Sequence, residues 1–154
     1  MKYRNLFSLL VAVSLILPAK AQTIWFSPRF GVDLEQWFDA YQAATGQPLA
    51  FFRVDMQWSG EWQSQMQQLG RLLHSKGIPL QIIYNGAGNA GSDEAWIAQA
   101  IGHFEQYQTN GSPRPDVVVF QCWTPNPTHV LPESDPRTMT GLIKQYLQWK
   151  QAHP

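Results

Sequence analysis

Apolar and polar residues follow two periods along this chain, and the switch from one to the other recurs about every 30 residues without identity between repeats. Short β-type runs lie at residues 23–26, 49–56, 80–84 and 117–123. Each is followed by a stretch in which apolar residues return at helical spacing. Leu34, Trp37, Phe38 and Tyr41 form the first stripe, with Asp33 placed to cap it and Gly46 and Pro48 to stop it. Trp62, Met66, Leu69 and Leu73 form the second, closed by Gly77. After a glycine-rich loop at residues 85–91, Ser92 or Asp93 caps a third helix bearing Ile97, Ala100, Ile101, Phe104 and Tyr107. A long proline-studded loop, residues 124–136, leads to a last helix carrying Met139, Leu142, Ile143, Tyr146, Leu147 and Trp149. Four strand-helix units in this order predict an α/β fold with a mostly parallel sheet. No internal linker divides them.

The first residues fit a different purpose. Lys2 and Arg4 precede an apolar run from Leu6 to Leu17, and Pro18, Ala19, Lys20 and Ala21 then give a small-x-small cleavage pattern before Gln22. The run is well short of the roughly 20 residues that span a bilayer. We therefore read residues 1–21 as a secretory signal peptide and residues 22–154 as the domain. The expected location is secreted or periplasmic, with no stable membrane anchor after cleavage. Removing the leader takes Lys2, Arg4 and Lys20 away, leaving 8 basic residues against 11 acidic ones, about −3. With no basic run, nucleic acid and anionic membrane surfaces are poor partners.

Composition and cysteine narrow the chemistry. All seven Trp lie after the leader, Gln is abundant and only 14% of residues are charged. Aromatic platforms beside neutral amides suit a hydroxyl-rich ligand such as a carbohydrate, and they equally suit an aromatic core. Cys122, the single cysteine, excludes an intramolecular disulfide and reads as a buried inert thiol. The 85–91 loop lacks both the G-x-G-x-x-G order and a Walker lysine, so it is not a phosphate cradle. There is no G-x-S-x-G elbow, and His74 and His103 fall inside helices where surface positions are the rule. His129, Glu133 and Asp135 lie in a loop with no defined ligand geometry, so neither a metal nor another cofactor is expected.

Splitting each strand by its period of two separates an apolar face from a more polar one. Phe52 and Val54 oppose Arg53 and Asp55, Leu80, Ile82 and Tyr84 oppose Gln81, Ile83 and Asn85, and Val118, Phe120 and Cys122 oppose Val117, Val119, Gln121 and Trp123. A doubly wound sheet needs two apolar faces, whereas a barrel interior tolerates polar groups, so the pattern points to a barrel-type sheet. A buried Arg53–Asp55 ion pair, with the glutamines bonded to backbone, is the structural alternative. Ligands of α/β folds sit beyond the carboxyl ends of the strands. Those ends bring together Asp55 with Trp58, Tyr84 with Asn85, and Gln121 with Trp123, while adjoining loops add Glu61, Asn126, His129 and Glu133.

Four segments resemble a known family: Trp25 to Pro28 (WFSP), Arg53 to Trp58 (RVDMQW), Ile78 to Gly86 (IPLQIIYNG), and Val119 to Trp123 (VFQCW) on through Glu133. Together they are similar to the C-terminal half of bacterial TIM-barrel proteins of the glycosyl-hydrolase-like kind. The resemblance implies half of a (β/α)8 barrel, with Trp123 in the place where many sugar-cleaving barrels carry a tryptophan after the last strand. It carries over no catalytic pair. Glycosidases need two carboxyl groups roughly 5 to 9.5 Å apart. Neither the third nor the fourth expected strand ends in an acid, so Asp55 as nucleophile or general base would pair with Glu61 or Glu133 as general acid. Trp58, Tyr84, Asn85, Gln121 and Trp123 would bind the sugar.

The functional expectation is an exported carbohydrate-active protein that hydrolyses O-glycosidic bonds. Glu61 complementing its helix and Glu133 as a solvated loop acid are the bland readings of those two residues. The alternatives are a noncatalytic carbohydrate-binding module or degenerate remnant, and a subunit that completes a barrel by association, for instance as a homodimer.

Overall fold

The computed structural model describes residues 33–60 and 62–154; the leader expected at 1–21, the strand expected at 23–26 and Glu61 lie outside the described residues. Helix α1, Leu34–Thr45, starts where the Asp33 carboxylate accepts the backbone N–H of Gln36 at 3.2 Å. It stops at Gly46, whose φ of 73° needs no Cβ and lets its N–H bond to the Gln42 carbonyl. Strand β1, Phe52–Asp55, is followed by α2, Trp62–Ser75, whose Trp62, Met66, Leu69 and Leu73 are all buried as their spacing requires. Strand β2 is Leu80–Tyr84 and α3 is Asp93–Thr109, capped by the Ser92 hydroxyl, which accepts the Ala95 N–H at 3.2 Å. Strand β3, Val117–Phe120, and α4, Met139–Ala152, complete the described elements. The Thr138 side chain caps α4 by accepting the N–H of Gly141.

The three strands lie in chain order β1-β2-β3 and pair in parallel. Phe52 stands opposite Leu80 and Asp55 opposite Ile83, while Gln81 stands opposite Val117 and Tyr84 opposite Phe120. Phe52, Val54, Leu80, Ile82 and Tyr84 share one buried cluster with Trp62, Leu73, Trp96, Phe104 and Tyr107, and Val118 and Phe120 pack against it. One sheet face is thus covered by helices. Two core phenols keep their hydrogen bonds: the Tyr107 hydroxyl donates to the Pro113 carbonyl at 2.8 Å, and the Tyr84 hydroxyl accepts from Gln108 Nε2 at 3.0 Å. Burial pushes both phenols above their ordinary pKa, so neither ionises near neutrality.

The expected half of a (β/α)8 barrel is corrected by this arrangement. The described residues form four helices and one three-stranded parallel sheet, a small α/β domain, rather than four βα units. The inference from polar alternation failed for a physical reason. Arg53 and Gln81, in register on adjacent strands, satisfy each other through a 2.9 Å bond from Arg53 Nε to Gln81 Oε1. Lateral pairing of this kind removes the need for a polar lumen. Every residue of β2 is buried, Gln81 and Ile83 included, so the central strand has no open polar face. The Arg53–Asp55 ion pair weighed from the sequence does not form either: Arg53 goes to Gln81, and Asp55 bonds elsewhere.

Close packing sets one further constraint. A Cβ at Gly86 would fall well inside contact distance of the Trp96 carbonyl oxygen and indole ring, whereas one at Gly102, in the middle of α3, would meet nothing within 4 Å. Trp96 is fully buried and cannot retreat cheaply. Gly86→Ala is expected to cost about 1 to 3 kcal/mol by overpacking. Gly102→Ala is expected to add about 0.5 to 1 kcal/mol through helix propensity. Urea unfolding of the two variants checks this pair, and equal stabilities would contradict the packing.

Candidate functional site at the carboxyl end of the sheet

Asp55 is the last residue of β1, Asn85 follows the last residue of β2, and Trp123 lies three residues beyond β3. Parallel pairing brings the three strand ends side by side, and a hydrogen-bonded cluster forms there. The Asn85 amide donates from Nδ2 to Asp55 Oδ1 at 2.9 Å, while its Oδ1 accepts the indole N–H of Trp58 at 2.9 Å. An indole N–H can only donate, so it fixes which way the Asn85 amide faces. The NH2 group is left for the carboxylate. Trp123 also hydrogen-bonds to the Asp55 side chain.

Asp55 is half-buried, and this burial raises its pKa above the ordinary 3.8, with the bonds from Asn85 and Trp123 pulling in the other direction. Burial wins because two donors do not replace a full hydration shell. The result is an acid held in place and primed to take a proton more readily than a surface carboxylate. Trp123 keeps 55% of its surface exposed while its edge is engaged, so a ring face is presented to solvent next to the carboxylate.

His103 of α3 supports the cluster from behind. Its Nδ1 lies 2.7 Å from the Asn85 carbonyl oxygen, and its ring stacks on Trp58 with centroids 4.3 Å apart and planes 6° from parallel. A carbonyl oxygen can only accept, so Nδ1 carries the proton. Burial lowers the pKa below 6.5, which keeps the ring neutral and Nε2 unprotonated at neutral pH. Sequence reasoning placed His103 on a helix surface. Its position, immediately before Phe104 and four residues before Tyr107, is the border of the buried stripe, and that was the available signal.

The loop after β3 is tied to the loop after β2. Asn126 Nδ2 donates to the Ala90 carbonyl at 2.8 Å, and Thr128 donates to Asp93 through its N–H at 2.9 Å and its hydroxyl at 2.6 Å. The half-buried Cys122 thiol sits 2.6 Å from the Asn126 carbonyl, so it holds this loop rather than lying inert in a strand core. These bonds hold the segment that carries Trp123.

Of the residues singled out from the sequence, the structure brings together Asp55, Trp58, Asn85 and Trp123. Gln121 is half-buried at the same strand ends, its N–H directed at the Tyr84 carbonyl at 3.4 Å. Tyr84 is fully buried within the aromatic core, against Trp58, Phe104, Phe120 and Tyr146, and has no face to offer a ligand. Glu133 is exposed in the loop between β3 and α4. Glu61 lies outside the described residues. Among the described residues, no three His, Cys, Asp or Glu side chains are grouped to hold a metal, and no helix is long and apolar enough to cross a membrane.

Fold and site together define a small α/β domain with a pinned carboxylate, an amide and an exposed indole at the carboxyl end of a parallel sheet. In comparisons with known proteins, no family model, curated protein or solved structure matches the chain.

The electrostatics give a direct expectation. Because the folded-state pKa of Asp55 is raised, its ionised form costs stability above that pKa, and the cost disappears as pH falls through it toward the unfolded value. A carboxyl-detected NMR titration is expected to place the Asp55 midpoint above 3.8, and to move it further up in Trp123→Phe, which lacks the donor. A midpoint at or below 3.8 would contradict burial as the dominant cause.

Proposed function

We propose that this chain is an exported carbohydrate-binding protein whose ligand, a neutral sugar, stacks on Trp123 and is oriented by Asp55 and neighbouring amides. The observation that carries the reading is the exposed indole of Trp123, held at its edge by a buried-side carboxylate. A ring fixed in this way loses little entropy on stacking, and a sugar presents C–H faces to the ring and hydroxyls to the carboxylate. The Arg, Lys and acidic residues elsewhere are mostly exposed, so the cluster is a neutral aromatic and amide surface around one acid. The signal-peptide pattern of residues 1–21 supports export, and the resemblance of the strand-end segments to glycosyl-hydrolase-like barrels supports the ligand class.

Hydrolysis of O-glycosidic bonds is the second reading, favoured by the raised pKa of Asp55. That mechanism requires a second carboxyl group roughly 5 to 9.5 Å away on the other side of the scissile bond. Binding without turnover needs only the residues already assembled, which is why it stands first.

Calorimetric titration of the mature chain with neutral cello-, xylo-, malto- and chito-oligosaccharides tests both readings. Saturable binding to at least one series is expected, weakened at least about tenfold by Trp123→Ala, as for an aromatic anchor at an interface centre. Absence of binding to every series, or binding untouched by that substitution, would sink the assignment. Release of reducing ends that is abolished by Asp55→Asn would move the protein to the hydrolase reading.

A further inference from the structure

We infer, on the reading of the Trp123 cluster as a sugar site, that the sugar it takes most tightly carries a free, protonated amine, with the ammonium on Asp55 and the ring on Trp123. Asp55 is half-buried, and both groups bonded to it, the Asn85 amide and the Trp123 indole, are uncharged donors. Among the described residues Lys76 pairs with Glu35 and Asp39, Arg137 pairs with Glu94 and Asp135, and no ion pair includes Asp55. Arg53, the basic residue of the same strand, is turned aside: its Nε donates to Gln81 Oε1 at 2.9 Å, and its guanidinium carbon lies 5.3 Å from the centre of the Phe51 ring. His103, behind Asn85, is neutral and engaged with the Asn85 carbonyl. The Asp55 carboxylate has thus lost part of its hydration without gaining a counter-ion among the described residues.

The geometry of the cluster gives a ligand cation its place. An indole donates only through Nε1, in the plane of its rings, so the Asp55 carboxylate lies off the edge of Trp123 and does not cover its faces. Trp123 is 55% exposed. A pyranose stacked on an exposed face directs its equatorial substituents outward past the ring edge, which brings one of them within reach of the carboxylate. A carboxylate has about four acceptor positions, and two donors leave others open. A hydroxyl at that point supplies one neutral donor. An ammonium supplies a charge-assisted bond and the missing counter-ion together. A sugar acid is disfavoured, because its carboxylate would face that of Asp55. The same pairing offsets the effect of burial on Asp55, so a bound amine brings its titration midpoint down toward the ordinary 3.8, whereas a bound neutral sugar removes more water and leaves it raised.

Calorimetry of the protein at about pH 6, between the titration ranges of carboxylates and amines, compares fully de-N-acetylated chito-oligosaccharides with their N-acetylated counterparts. The free amine is expected to bind about tenfold more tightly at low salt, with the gap narrowing at high salt. Asp55→Asn is expected to abolish the gap. Should that variant lose its cooperative thermal transition, the unaltered protein gives an independent reading: in a carboxyl-detected NMR titration the Asp55 midpoint falls on saturation with the amine and does not fall with the N-acetylated sugar. Affinity for the amine no higher than for neutral sugars, or a gap that persists in folded Asp55→Asn, overturns the amine and leaves the sugar site standing. If no oligosaccharide of any series binds, the sugar site itself falls and the amine with it. Spermidine, an amine without a sugar ring, binding as tightly as the amino sugar would overturn the assignment of the cation to a sugar.

Discussion

The parallel register of β2 against both neighbours determines which side chains can meet at the end of the sheet. Asp55 ends β1 opposite Ile83, and Asn85 follows two residues on, so the amide reaches the carboxylate without any displacement of backbone. The same strand pairs on its other side with β3, which places Gln121 and Trp123 beyond Phe120 at the same end. A slip of one residue in either pairing would turn Asp55 or Asn85 to the opposite face and dissolve the cluster. Burial of the whole of β2 opposes such a slip, because it would exchange Ile82 and Tyr84 for Gln81 and Ile83 against the helices.

Within the cluster, each polar group has its direction set by a partner that permits only one role. The Trp58 indole can only donate, so Asn85 must accept there and donate to Asp55. The Asn85 carbonyl can only accept, so His103 is protonated at Nδ1. Stacking of His103 on Trp58 then closes the support. Preorganisation of this sort lowers the ordering cost of binding, and it leaves Trp123 as the part of the cluster most open to solvent.

Much of the fold was legible in the sequence where local chemistry and periodicity agree. The four-residue stripe of α2, the Asp33 cap and the stop at Gly46 appear where spacing put them, and of the two caps open for α3, Ser92 and Asp93, it is Ser92 that caps. The barrel was not legible, because alternation within one strand cannot tell a polar lumen from polar side chains that pair sideways; Arg53 and Gln81 do the latter. Tyr84 shows the opposite error. Its period-two position grouped it with Leu80 and Ile82, and the core is where it lies, yet its place at a strand end had drawn it into the ligand site. His103 escaped notice because a histidine at the border of a helical stripe gives no sign of the Trp58 ring that comes from 45 residues earlier in the chain.

The central claim is that a neutral sugar meets the indole of Trp123 and the Asp55 to Asn85 pair at the carboxyl end of the sheet. Two-dimensional NMR of the labelled protein, titrated with a neutral oligosaccharide that binds, tests it most directly. The side-chain signals of Trp123 Nε1–H and Asn85 Nδ2–H2 are expected to shift together and saturate with the ligand, while those of buried Trp96 stay still. Saturating shifts confined to other parts of the molecule, with both of these signals unmoved, would contradict it.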